Sequence, residues 1–181
     1  NLHDFFNGVV WLRFPQLKRR LNELQAAAIA RDGIGAVRGP VRDALTLFDE
    51  NAAWLQAPPA LEDALRRHDW RAAFVDAHRA AWAAAAPVCF GHALLEQLLT
   101  PRKNLTAHAW AVPQGVRAEP WFVAWLTPER LAAKRHFALP VLGVPGWWPA
   151  NASPDFYDDA RVFRPLRARP AGSMRSQPAT S

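Results

Sequence analysis

Cysteine is almost absent: Cys89 is alone among 181 residues. No disulfide can close within the chain, which excludes a cystine-stapled secreted scaffold and Cys-based zinc ribbons and fits a reducing cytoplasm. Serine is nearly as scarce. Ser153 is the only one before the C-terminal tail and no GxSxG occurs, so a serine hydrolase has no support. GxxxxGK[ST], GxGxxG and HExxH are also missing, which removes the usual phosphate cradles and the usual helical zinc pair. Long apolar runs are lacking too. The longest uncharged stretches, 80–91 and 137–154, are broken by Pro87 and by four prolines, so neither can be a continuous membrane-spanning helix of about 20 residues. Lysine is reduced to Lys18, Lys103 and Lys134; the other basic residues are Arg.

What is present is an apolar half, 16 prolines and nine tryptophans, enough for one compact domain. The formal charge of +6 invites an anionic partner. Its distribution weakens that reading. Residues 164–181 carry Arg164, Arg167, Arg169 and Arg175 and no acid, which leaves 18 basic and 16 acidic groups in residues 1–163. The expectation is a nearly neutral globular domain over 1–163 and a disordered basic tail over 164–181.

Residues 4–13 read as a short helix that is apolar nearly all round, hence buried. Leu17, Leu21, Leu24 and Ala28 recur at helical spacing, with Lys18, Arg19 and Arg20 on the solvated side and Gly33 as the stop. A turn-rich stretch with Gly35, Gly39 and Pro40 precedes Ala44–Phe48, which alternates like a strand; Asp49, Glu50 and Asn51 then form a turn, and Ala52–Gln56 returns as a hairpin. Pro58 and Pro59 open a helix with i,i+4 pairs Glu62–Arg66 and Asp63–Arg67, and Asp69 caps a helix striped by Trp70, Phe74, His78 and Trp82. Beyond Pro87, a third helix runs His92–Leu99. Leu105–Val112 alternates, placing Thr106, His108, Trp110 and Val112 on one face and small alanines on the other. Thr127, Pro128 and Glu129 start a further helix, and from Ala138 the Pro/Gly/Trp-rich chain reads as a long ordered loop.

His and carboxylate residues carry what chemistry the sequence offers. His92 and Glu96, four apart on one helix face, suit a divalent metal with His108 as third ligand, or a base with its orienting carboxylate. His3, with Asp4 and Asn7 at the start of the first helix, and the Asp49–Glu50 pair at a turn tip, supply further polar groups. The catalytic candidates are therefore His3, Asp49 and Glu50, and the metal candidates His92, Glu96 and His108; no residue points to an organic cofactor. Each also has a plain structural role as a cap, a satisfied core group or a turn residue. Cys89, flanked by Val88 and Phe90, reads as an inert core thiol. Trp147 and Trp148 read as sealing the end of the core.

HDFFNGVVWLRFPQLKRRLNELQ at 3–25, GPVRDALTLFDENA at 39–52, FGHALLEQLLTPRKNLTAHAW at 90–110 and LPVLGVPGWW at 139–148 resemble the bacterial domain-of-unknown-function 3025 family. The resemblance implies a bacterial source, one shared fold and a native start upstream of Asn1. It transfers no catalytic residue. The combined expectation is a mainly helical α+β domain with about five helices, a small sheet from 44–56 and 105–112, and a C-terminal loop packed over them. Two functions compete: a hydrolase-like His/carboxylate pocket, metal-assisted or not, and a non-enzymatic module that meets an acidic partner, nucleic acid or a membrane surface through its tail.

Overall fold

The computed structural model describes residues 1–33 and 39–166. Its apolar residues are divided between the two faces of one small sheet. Strands β1 (Ala52–Leu55), β2 (Val88–Cys89), β3 (Thr106–Ala111) and β4 (Phe137–Pro140) lie in the order β2-β1-β3-β4. β1 and β3 are parallel, with Trp54 beside Trp110, while β2 and β4 pair antiparallel at the edges. The pleat sends alternate residues to opposite cores. Ala53, Leu55, Ala107, Ala109 and Leu139 face one, and Ala52, Trp54, Trp110 and Val112 face the other.

The second core is covered by α1 (Leu2–Arg13), α2 (Pro15–Asp32) and α3 (Pro40–Asn51), with α8 (Ala118–Trp125) and α9 (Pro128–Ala132). Across the sheet lie α4 (Pro59–Arg66), α5 (Trp70–Phe74), α6 (Trp82–Ala85) and the C-terminal segment, and α7 (His92–Gln97) contributes Leu94 to that side. Many of the prolines are helix starts: Pro15, Pro40, Pro59 and Pro128 open α2, α3, α4 and α9, where the missing N–H would be unbonded anyway. The side chains of Asp69 and Thr127 cap as expected, accepting from the backbone N–H of Ala72 and Arg130. Both i,i+4 pairs form on α4.

Four expectations are corrected. Ala44–Phe48 lies inside α3, whose Val41, Ala44, Leu45 and Phe48 follow a helical stripe; five alternating residues are too few to separate the two periods. Asp49, Glu50 and Asn51 are its last turn, so β1 has no hairpin partner there and pairs instead with β2 and β3. The Trp70–Trp82 stripe is not one helix: α5 ends at Phe74, and a 3-10 turn (Arg79–Ala81) precedes α6, although Trp70, Phe74 and Trp82 still stack in the core. Finally, α1 is not buried. Val10 is its one buried residue, and Leu12 is 86% exposed.

The Pro/Gly/Trp segment begins as β4 and continues as three short 3-10 turns. Buried Asn151 holds it together, donating from Nδ2 to the carbonyls of Leu142 (2.8 Å) and Val144 (2.7 Å), while the Tyr157 hydroxyl donates to Gly143 O at 2.9 Å. These bonds satisfy backbone that no sheet or helix satisfies. Trp148 packs on the core, but Trp147 is exposed. Of the expected basic tail, residues 167–181 lie outside the described residues, as do 34–38 of the turn-rich stretch. Among the described residues no helix is long and apolar enough to cross a membrane.

Gly91 fixes the junction between α3 and α7. A Cβ at this position would lie 2.3 Å from Glu50 O and 2.4 Å from Asn51 N, so only glycine lets the start of α7 press against the end of α3. Gly91→Ala is expected to cost about 3 kcal/mol or more, because two backbone segments must separate, with the loss read from the urea midpoint.

Candidate functional site

The close approach at Gly91 sets His92 against the last turn of α3. Helix C-termini leave carbonyls without intrahelical donors, and Asp49 O is one of them. His92 Nδ1 donates to it at 2.8 Å, and the Asp49 carboxylate lies 3.6 Å from the same nitrogen. On the far side of the ring, His92 Nε2 is 3.0 Å from His3 Nε2, and His3 Nδ1 is 3.1 Å from Glu96 Oε2. The two imidazoles meet edge to face, with centroids 4.5 Å apart. Asp49 in turn holds the Lys18 ammonium at 2.5 Å. One chain of polar contacts therefore crosses four helices, from Glu96 on α7 through His3 on α1, back to His92 on α7, to Asp49 on α3 and Lys18 on α2.

Burial is graded along this chain. The Lys18 and His92 side chains are 3% and 6% exposed, whereas Asp49, Glu96 and His3 reach solvent at 29%, 38% and 45%. Lys18, expected on a solvated face, is the deepest charge described; the Trp11 ring lies 5.7 Å from its Nζ. Its position at i+1 from Leu17 hid it, since a stripe argument assigns it outward unless a second helix covers that flank. The expected basic cluster is dispersed, because Arg20 donates to Leu126 O and pairs with Glu23.

Hydrogen-bond accounting determines the protons. Asp49 O and Glu96 Oε2 are acceptors, and the N···N contact between the rings needs one shared proton. Each of the three links therefore needs one proton. Every ring nitrogen is then occupied. Of the expected metal candidates, His92 and Glu96 are brought near each other through His3, and both ring nitrogens of His92 face protein partners. Among the described residues no group of three or more His, Cys, Asp or Glu is arranged to hold a metal ion.

His108 lies elsewhere. Its Nδ1 and its backbone N–H both bond Asn51 Oδ1, at 2.7 and 3.0 Å, which latches the end of α3 to β3. Its ring meets that of His136 edge to face at 4.7 Å. Burial pushes His108 down from its ordinary pKa; burial, with His108, Lys134 and Arg66 nearby, pushes His136 down to about 4. Glu50 is exposed and joins no link of the chain; with Asp49 and Thr46 it lines a cleft of about 240 Å³ between α2 and α3. Cys89 sits on edge strand β2, and burial pushes its thiol up to about 12, away from the reactive thiolate form.

A family model described as a protein of unknown function (DUF3025) matches residues 1–167, and the chain belongs to that family. No curated protein and no solved structure matches it.

Two measurements check this geometry. Asp49→Ala leaves the buried Lys18 ammonium uncompensated and is expected to cost about 3 kcal/mol, with most of it recovered in Lys18→Met/Asp49→Ala because both charges are then gone. For His136, the depressed pKa means that the unfolded chain binds the proton first. Stability should therefore fall as pH drops from about 6.5 to about 4 and level off below, and His136→Gln should flatten that slope in pH-dependent denaturation curves.

Proposed function

We propose that this DUF3025 member is a metal-independent acid–base enzyme of the hydrolase type, working at the solvent-facing end of the His/carboxylate chain in the bacterial cytoplasm. The observation that carries the reading is the run of three proton-bearing links ending on a partly exposed carboxylate. Both nitrogens of His3 are occupied, so the group free to exchange a proton is Glu96, whose Oε1 has no partner among the described residues. Oε1 can accept a proton from a water molecule while Oε2 keeps its bond from His3, so no link breaks. His3 orients the carboxylate, and His92, fixed by Asp49 O, sets the tautomer of His3 in the way that buried partners set a catalytic histidine. Glu96 is the general base in this reading; His3, His92 and Asp49 position it. The cytoplasmic setting rests on the single, unpaired and half-buried thiol.

The experiment is a panel of p-nitrophenyl carboxylates, p-nitrophenyl phosphate and amino-acid p-nitroanilides with the purified protein. Turnover of one class is expected, reduced roughly a hundred-fold or more in Glu96→Gln with little change in thermal midpoint, since the Gln amide oxygen can still accept from His3. His92→Asn should lower both activity and stability. Absence of turnover across the panel, or turnover untouched by Glu96→Gln, would reduce the chain to a staple between helices and defeat the proposal.

A further inference from the structure

The end of α1 and the start of α8 border a groove of about 550 Å³, a volume within the range of small-molecule sites, that none of Glu96, His3 and His92 lines. Its apolar walls come from four places in the chain: Phe14 directly after α1, Trp54 on β1, Val88 on β2 and Leu95 on α7. The Phe14 and Trp54 rings meet edge to face at 5.2 Å and are 9% and 3% exposed. They belong to the core, so the groove opens directly onto it.

The polar groups left over at this groove are donors. Arg13 and Arg117 are exposed and line it, and the Arg13 guanidinium lies 4.8 Å from the centroid of the Phe14 ring. Neither guanidinium has a carboxylate or carbonyl partner among the described residues, whereas those of Arg20, Arg66 and Arg79 each bond a backbone carbonyl. Trp54 adds a third donor. Buried indole N–H groups ordinarily find an acceptor, as those of Trp70 and Trp82 do on Arg164 O and Ala73 O, but that of Trp54 has none among the described residues. Glu119 is the carboxylate in the lining, and it is engaged elsewhere: its Oε1 accepts from the backbone N–H groups of Gln16 at 2.8 Å and Leu17 at 3.1 Å, at the start of α2. Two cations and an indole donor therefore stand beside apolar walls with no protein group to answer them.

The complementary occupant carries negative charge, accepts hydrogen bonds and has an apolar body. A carboxylate matches the planar fork of a guanidinium. Walls drawn from four separate elements suit a chain whose torsions adapt to them better than one rigid ring. We propose that this groove binds an aliphatic carboxylate of the fatty-acid type, with its chain on Phe14, Trp54, Val88 and Leu95 and its head on Arg13 and Arg117. The site is independent of the acid–base reading.

Isothermal titration with sodium decanoate, hexanoate and 1-decanol tests it. Decanoate is expected to saturate one site per chain, and hexanoate to bind at least about tenfold more weakly, since it lacks four methylenes worth up to about fourfold each when buried. Decanol keeps the chain and loses the charge, so it should also bind at least about tenfold more weakly. Arg13→Gln and Arg117→Gln should each weaken decanoate about tenfold, and the double variant more, with the thermal midpoint of the free protein as in the parent because both side chains are exposed. No saturable binding of decanoate up to about 2 mM overturns the proposal, as does decanol binding as tightly as decanoate or an affinity untouched in Arg13→Gln/Arg117→Gln. Retention on phosphatidylglycerol vesicles without binding of monomeric decanoate would make this surface a membrane contact and overturn it equally.

Discussion

A buried ammonium needs a counter-charge, and in this fold one carboxylate answers it. Lys18, 3% exposed, lies on the flank of α2 that α3 covers, and Asp49 at the end of α3 is its partner. With Asp49 held, its own carbonyl is directed at His92, and the junction at Gly91 lets α7 come near enough to use it. His92 then reaches His3, which ties α1 to α7. Four helices far apart in sequence are thereby indexed to one another by five side chains, while the sheet behind them is tied to the same point through Asn51 and His108. Burying such groups is costly unless every one is bonded, so the arrangement specifies one packing more than it stabilises it.

The same accounting controls the chemistry. Both imidazoles, His3 and His92, have all their ring nitrogens committed to protein partners. The gradient from a buried Lys18 to a half-exposed Glu96 gives the chain a closed end and an open one. His108 and His136 form a separate pair in which burial disfavours the charged form, so the second histidine pair is set toward neutrality while the first shares its protons with a carboxylate.

Much of the local structure was legible in the residues. Asp69 and Thr127 announced their helix starts, Gly33 its stop, the charges of α4 their pairs, and the alternation of residues 105–112 the strand at the centre of the sheet. Each of these signals rests on groups close together in the chain. The failures share the opposite property. Ala44–Phe48 was ambiguous over five residues, and only the stripe from Val41 to Phe48 packed on the core resolves it as helix. β4 carries a proline that an edge strand tolerates at its end, and α8 had no distinctive start. The apolar wealth of α1 suggested burial, but a 12-residue helix on one corner of the domain finds neighbours for only part of its circumference.

Within the site, His3, Asp49, His92 and Glu96 were all named from residue type, and Lys18 was not. Residue type shows what a side chain can do; it does not show which of its faces meets protein. By itself the sequence determined which polar groups the candidate site can draw on and the periods from which most elements form, because these follow from residue type and local bonding. Tertiary structure alone decided that His108 bonds Asn51 rather than a shared metal, that Lys18 is buried, and that α1 keeps an apolar face open. Each of these depends on contacts between residues tens of positions apart, and the free energy of those contacts resides in the packing of one helix on another.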